Sequence, residues 1–153
     1  MNTLLASEQF DAFLVDEASI TTFNTFHIDG HIVKDFFNSE EITNMEQGLP
    51  EFSLWKDIRP ICFQLIKGKK TPSQLKIVLK LSEDNTYSLL ESTHSTLSTM
   101  DIDGMFLNIL FQHDKLTIVC GISYKIFTLD KNLENEFTTS ISSLLKGASI
   151  TCQ

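Results

Sequence analysis

Arginine is almost absent from this chain: Arg59 is the only one in 153 residues. A guanidinium fork is the usual bidentate reader of phosphate and guanine, so this scarcity argues against a nucleic-acid-binding face. The charge balance points the same way. Twelve Lys and Arg stand against twenty Asp and Glu, a net charge of −8 with a pI near 4.8. Such a surface repels nucleic-acid phosphates and anionic lipid unless basic residues gather locally. No apolar run approaches the ~18 residues needed to cross a bilayer. Met1-Asn2-Thr3-Leu4-Leu5 has neither a basic n-region nor a long apolar h-region, so no secretory leader and no membrane partner are expected.

Cysteine is also sparse. Cys62, Cys120 and Cys152 are far apart and odd in number, with no Cys-x-x-Cys and no Cys/His spacing suited to zinc. Cys62 and Cys120 sit inside apolar runs and read as buried small hydrophobes in a reducing compartment. No Asn-x-Ser/Thr acceptor occurs. The expected location is the cytoplasm. The sequence implies no cofactor.

What is present is ordinary for a packed protein: 42% hydrophobic and 21% charged residues, which excludes disorder of the whole chain. No repeat, low-complexity tract or Pro/Gly/Ser-rich linker divides it, so residues 1–153 read as one domain. Residues 1–9 suggest a short helix leading into a strand over Phe10–Val15. From Ser19 the apolar residues alternate through Ile20, Phe26 and Ile28, and Asp29-Gly30 resembles a tight turn before His31-Ile32-Val33. Residues 38–53 read as a polar loop with a helical turn after Ser39. Ile58, Ile61, Cys62, Leu65 and Ile66 fall at helical spacing, with Asp57 as the expected cap, Pro60 at the third helical position and Gly68 as the stop. Leu75, Ile77, Leu79 and Leu81 alternate as a strand with Gln74, Lys76, Val78 and Lys80 on its other face. Ser82-Glu83-Asp84 opens a short helix. A hairpin over 105–112 and 115–120 turns at His113-Asp114, with a bend expected at Gly121 before Tyr124–Phe127. Leu133, Phe137, Ile141, Leu144 and Leu145 stripe a final helix that starts near Asp130 and closes at Lys146-Gly147. The expected fold is α+β, a mainly antiparallel sheet with helices packed on one face.

Three groups of residues are candidates for chemistry. His27-x-Asp29-x-His31 could converge on one metal ion, since residues two apart share a strand face. The simpler reading is exposed turn residues at a hairpin end, with the histidines separated by the reversal. Lys67-Gly68-Lys69-Lys70-Thr71 lacks the first glycine and the preceding strand of a phosphate loop. Lys67, Lys69, Lys70, Lys76 and Lys80 could still form one basic patch for an anionic ligand, against the simpler reading of a solvated face at a helix end. Phe10, Phe13, Phe23, Phe26, Phe36 and Phe37 are more aromatic bulk than one small sheet face holds. They suggest a second covered face or a subunit interface, unless they simply fill the core. The acidic pairs have capping or strand-alternation explanations, Asp101-Ile102-Asp103-Gly104 lacks the remaining ligands of a calcium loop, and Cys62 lies on a buried stripe. No catalytic set assembles.

The runs Glu17–Gly30, Leu54–Phe63, Ile66–Pro72 and Phe127–Lys131 resemble an uncharacterised family of clostridial-type Firmicutes, a domain of unknown function, over most of the chain. The resemblance implies a further strand and helix ahead of the position of Met1, which would make Met1–Ser7 the tail of a longer helix. It implies no activity, cofactor or catalytic residue. The leading expectation is therefore a non-enzymatic cytoplasmic interaction domain, self-associating or binding a protein partner through the aromatic surface or the lysine turn. The alternatives are a small metal-dependent enzyme using His27, Asp29 and His31, and a module binding an anionic ligand or, less in keeping with the charge, nucleic acid at Lys67–Lys80.

Overall fold

The sheet in the computed structural model has five strands in the order β2-β1-β3-β4-β5, every neighbouring pair antiparallel. The structure describes residues 1–148, with the side chains of Asn2 and Thr3 left aside; Cys152 lies outside the described residues. The strands are β1 (Leu14–Thr21), β2 (Thr25–Asp29), β3 (Gln74–Lys80), β4 (Ile102–Gln112) and β5 (Lys115–Tyr124). The helices are α1 (Asn2–Ala6), α2 (Ser39–Thr43), α3 (Trp55–Ile66), α4 (Glu83–Ser92) and α5 (Asn132–Gly147).

Period-two alternation decides which face is buried. Leu75, Ile77 and Leu79 of β3 and Met105, Leu107 and Ile109 of β4 are fully buried. Val15, Ala18 and Ile20 of β1 extend the same face. Onto it pack Leu4 and Leu5 of α1, Trp55, Cys62 and Ile66 of α3, Leu90 of α4, and Leu133, Phe137, Ile141 and Leu145 of α5. Each large side chain removed from water here contributes about 1.5–3 kcal/mol before entropy is counted. The reverse face carries Ser19, Lys76, Asn108 and Thr117 and is largely open. The expected α+β architecture, helices against one face of an antiparallel sheet, is the observed one.

The first hairpin differs from expectation. The chain reverses at Thr22–Asn24, where Thr22 N donates to the Asn24 carbonyl at 2.9 Å. Gly30 does not turn a hairpin. Its N–H donates to the Asp16 carbonyl at 2.9 Å, beside the irregularity between Val15 and Glu17 in β1. A Cβ on Gly30 would lie 1.7 Å from the Val15 carbonyl oxygen, so this glycine serves close backbone approach. Phe10–Phe13 is likewise a turn rather than strand: Phe13 N bonds to the Phe10 carbonyl, and the Phe13 carbonyl accepts from Trp55 N at 2.8 Å.

That last bond explains why α3 starts earlier than its apolar stripe suggests. Trp55 is fully buried and anchored to the entry of β1, so the helix begins there with Leu54 as an N-cap lacking a side-chain bond. Pro60 is then the sixth helical residue, and Ile61 is half exposed instead of buried. Gly121 marks no bend; it lies opposite Phe106 within an unbroken β5 that runs to Tyr124. The β4–β5 turn is where expected, with His113 and Asp114 at φ of 51° and 58°, the left-handed pair of a two-residue hairpin. No helix among the described residues is long and apolar enough to cross a membrane.

Candidate functional site

The structure brings two of the three metal candidates together. His31 Nδ1 lies 2.6 Å from Asp29 Oδ1, and the same oxygen accepts the His31 backbone N–H at 3.0 Å. That backbone bond, then the side-chain bond, hold the Asp29 carboxyl below its usual range; the side-chain bond raises the His31 imidazole. Both side chains are more than half exposed. His27 stays on β2 opposite Ser19 and does not join them. The reason is local: β2 ends at Asp29, and Gly30 turns toward Asp16, which carries His31 off the strand. Among the described residues no three His, Cys, Asp or Glu side chains gather as a metal-ligand set.

The five lysines separate. Lys76, in the middle of β3, pairs with Glu17 of β1 on the open face. Lys80, at the far end of the same strand, places its ammonium 5.0 Å from the Phe52 ring and 5.8 Å from the Phe106 ring. Cation–π attraction of this kind contributes about 0.5–1 kcal/mol at a partly exposed site. Gly104 leaves room for it, since a Cβ there would meet Phe106 and the Lys80 stem at 2.8 and 2.9 Å. Phe52 also stacks on His31 with centroids 4.5 Å apart. It therefore links two residues that the sequence places in separate candidate sites. Nothing in the sequence marks it, because Phe52 lies in a polar loop and the partners it meets, His31 and Lys80, are distant in sequence.

Beside Lys80 a cleft of about 380 Å³ is lined by Phe52, Glu83, Asp103 and Lys125. Its charges are mixed, and Lys125 and Asp103 stand 4.0 Å apart. No hydroxyl or thiol hydrogen-bonds to His31 among the described residues, so no nucleophile–base pair is formed. Burial pushes the Cys62 thiol up to about 11, which keeps it protonated and inert at neutral pH.

Lys67, Lys69 and Lys70 do stay together. They rim a groove of about 570 Å³ between the β1–β2 turn and the link from α3 to β3. Leu65 and Ile66 end α3 against it, Thr22 and Phe23 close it from the hairpin, and Thr71 and Ser73 complete the wall. The wall is fixed by Ser73, whose N–H donates to the Thr21 carbonyl at 2.9 Å. None of the three lysines makes an ion pair with a described residue. Phe23 is 86% exposed at the groove's edge, steadied by an edge contact to Phe26 at 5.8 Å. The lysine turn was readable from spacing; its apposition to Phe23 was not, since the two are more than forty residues apart.

The aromatic cluster of the first quarter divides accordingly. Phe10 and Phe13 are core, whereas Phe23 and Phe36 are exposed. Neither a search of curated proteins nor a search of solved structures returned a significant match. A family model does match, over residues 3–153, and its description is a family of unknown function, DUF5721. The chain belongs to DUF5721.

Proposed function

We propose that this chain is a non-enzymatic interaction domain of the bacterial cytoplasm, and that its groove at Lys67–Ser73 receives an acidic partner segment carrying an apolar anchor. The observation that carries the reading is the pairing of three ion-pair-free lysines with an exposed phenylalanine on one apolar groove. The lysines supply charge complementarity and steering, while Phe23, Leu65 and Ile66 supply the desolvated contact that gives affinity. The −8 net charge repels acidic partners everywhere else, which selects this one approach. The inert Cys62 fits a reducing cytoplasm and a role without nucleophilic chemistry.

The test is amide chemical-shift mapping with a synthetic peptide of alternating glutamate and leucine. Shifts confined to Thr22, Phe23 and Leu65–Ser73, weakening as salt rises, support the reading. A peptide of alternating lysine and leucine producing the same shifts, or inorganic phosphate alone producing them, would overturn it.

A further inference from the structure

The two edges of the sheet are built differently. β2 is five residues long and places His27 and Asp29 on its exposed side. β5 is ten residues long, and Lys115 at its first position is its only charged residue. Natural edge strands are blunted by charge, proline, bulges or brevity, because their free N–H and C=O groups template further pairing. From Leu116 to Ile122 none of these devices is present; the one irregularity of the β4–β5 pair lies beyond, where Ile102 and Gly104 meet Tyr124 and Ser123.

The two-residue turn makes Gln112 and Lys115 a hydrogen-bonded pair, so bonding to β4 alternates from there. Leu116, Ile118, Cys120, Ile122 and Tyr124 then direct their N–H and C=O groups outward. Among the described residues, no loop or helix backbone bonds to the edge over Leu116–Ser123. A second feature lies just inside. The side chains of these five residues face the core yet none is fully buried, and a cavity of about 340 Å³ opens between β5 and α5 beside Cys120 and Ile122. The core is unfinished along this edge.

We propose that β5 pairs with β5 of a second copy of this chain, antiparallel about a twofold axis, to form one ten-stranded sheet. An antiparallel edge is self-complementary under twofold symmetry, so one surface serves both copies. A pairing centred on Val119, with Ile118 of one copy opposite Cys120 of the other, joins outward-facing groups and sets each Lys115 at opposite ends. Two chains of −8 repel, which favours contact along the stretch that carries no charge. At about 3.4 Å per residue the edge is about 34 Å long, and a sheet plus one helix layer is about 20 Å high, giving roughly 700 Å² per copy. A stable standard-size interface needs about 800 Å² per partner.

The experiment is sedimentation velocity on the full chain, together with residue-resolved amide exchange. The expected result is a species of twice 17.4 kDa, with slow exchange at Ile118, Cys120 and Ile122. The double variant Thr117→Lys/Val119→Lys alters only the open face of the sheet, so far-UV circular dichroism should be unchanged. It sets like charges across the axis, which should raise the dissociation constant about tenfold or more and speed exchange at those three amides. A 17.4 kDa monomer at micromolar concentration, a dimer whose β5 amides exchange rapidly, or a dimer indifferent to the two lysines would each overturn the proposal. None of these outcomes involves the lysine groove, which lies beside β1–β2 and the start of β3.

Discussion

Arg59 donates to both carboxylate oxygens of Asp11 at 2.8 Å and to the Leu5 carbonyl at 3.2 Å. The chain's only arginine is thus a brace between α3 and the N-terminal segment, a role its geometry suits and lysine's does not. Its scarcity was visible in the sequence; its duty was not, because the partner is 48 residues away. Gly30 teaches the same lesson from the other side. Asp29-Gly30 has the local chemistry of a tight turn, but the glycine is demanded by the Val15 carbonyl of a neighbouring strand. Gly30→Ala should lower unfolding free energy by about 3 kcal/mol or more, measured by urea denaturation. A loss no larger than an ordinary surface substitution would contradict the close approach.

The Asp29–His31 contact gives a prediction in pH. His31 is raised, so its contribution to stability is full below the ordinary imidazole value and is lost as pH rises through the raised one. Asp29 is lowered, so its contribution is present above the usual carboxylate range and is lost as pH falls through the lowered value. The pair is strongest between those two limits. In an NMR titration, Asp29→Asn should return the His31 midpoint toward the ordinary histidine value. An unchanged midpoint would show that Asp29 is not the cause.

Elements whose rules are local were legible. α4 begins where Ser82 caps the Asn85 N–H at 3.3 Å, and α5 buries the stripe its spacing announces, with Leu144 only partly covered. Even α2 carries a capping box, Asn38 and Glu41 exchanging bonds of 2.8 Å, in a segment that reads mainly as loop. Elements fixed by distant contacts were not legible: α3 starts at Trp55 because the Phe13 carbonyl and the core hold it there. The β4–β5 turn is local but strained, since two non-glycine residues hold positive φ. Replacing His113-Asp114 with Asn-Gly should therefore stabilise the protein by about 0.5 kcal/mol, read as a higher thermal midpoint. A lower midpoint would indicate that those side chains do more than close the hairpin.

At the scale of the molecule, one-sided packing determines what is available for function. Helices α1, α3, α4 and α5 consume one sheet face, which leaves the open face, two edges and the ends of the strands. The positive minority concentrated at residues 56–80 does not act as one patch in space. Lys76 pairs with Glu17 and Lys80 with two phenylalanines, so Lys67, Lys69 and Lys70 are the candidate lysines left together on one groove. Sequence spacing gave the lysine turn but could not sort its members, because their partners come from β1 and from loops flanking the sheet. The uncharged run of β5 was equally visible, while its position at an edge follows from topology alone.

The role of that groove is tested most directly by calorimetric titration of the glutamate–leucine peptide into the wild-type chain and Lys69→Glu/Lys70→Glu. Binding to the wild type should weaken with ionic strength, and the variant should lose tenfold or more in affinity, about 1.4 kcal/mol. Equal affinity for both proteins, or binding indifferent to salt, would contradict it.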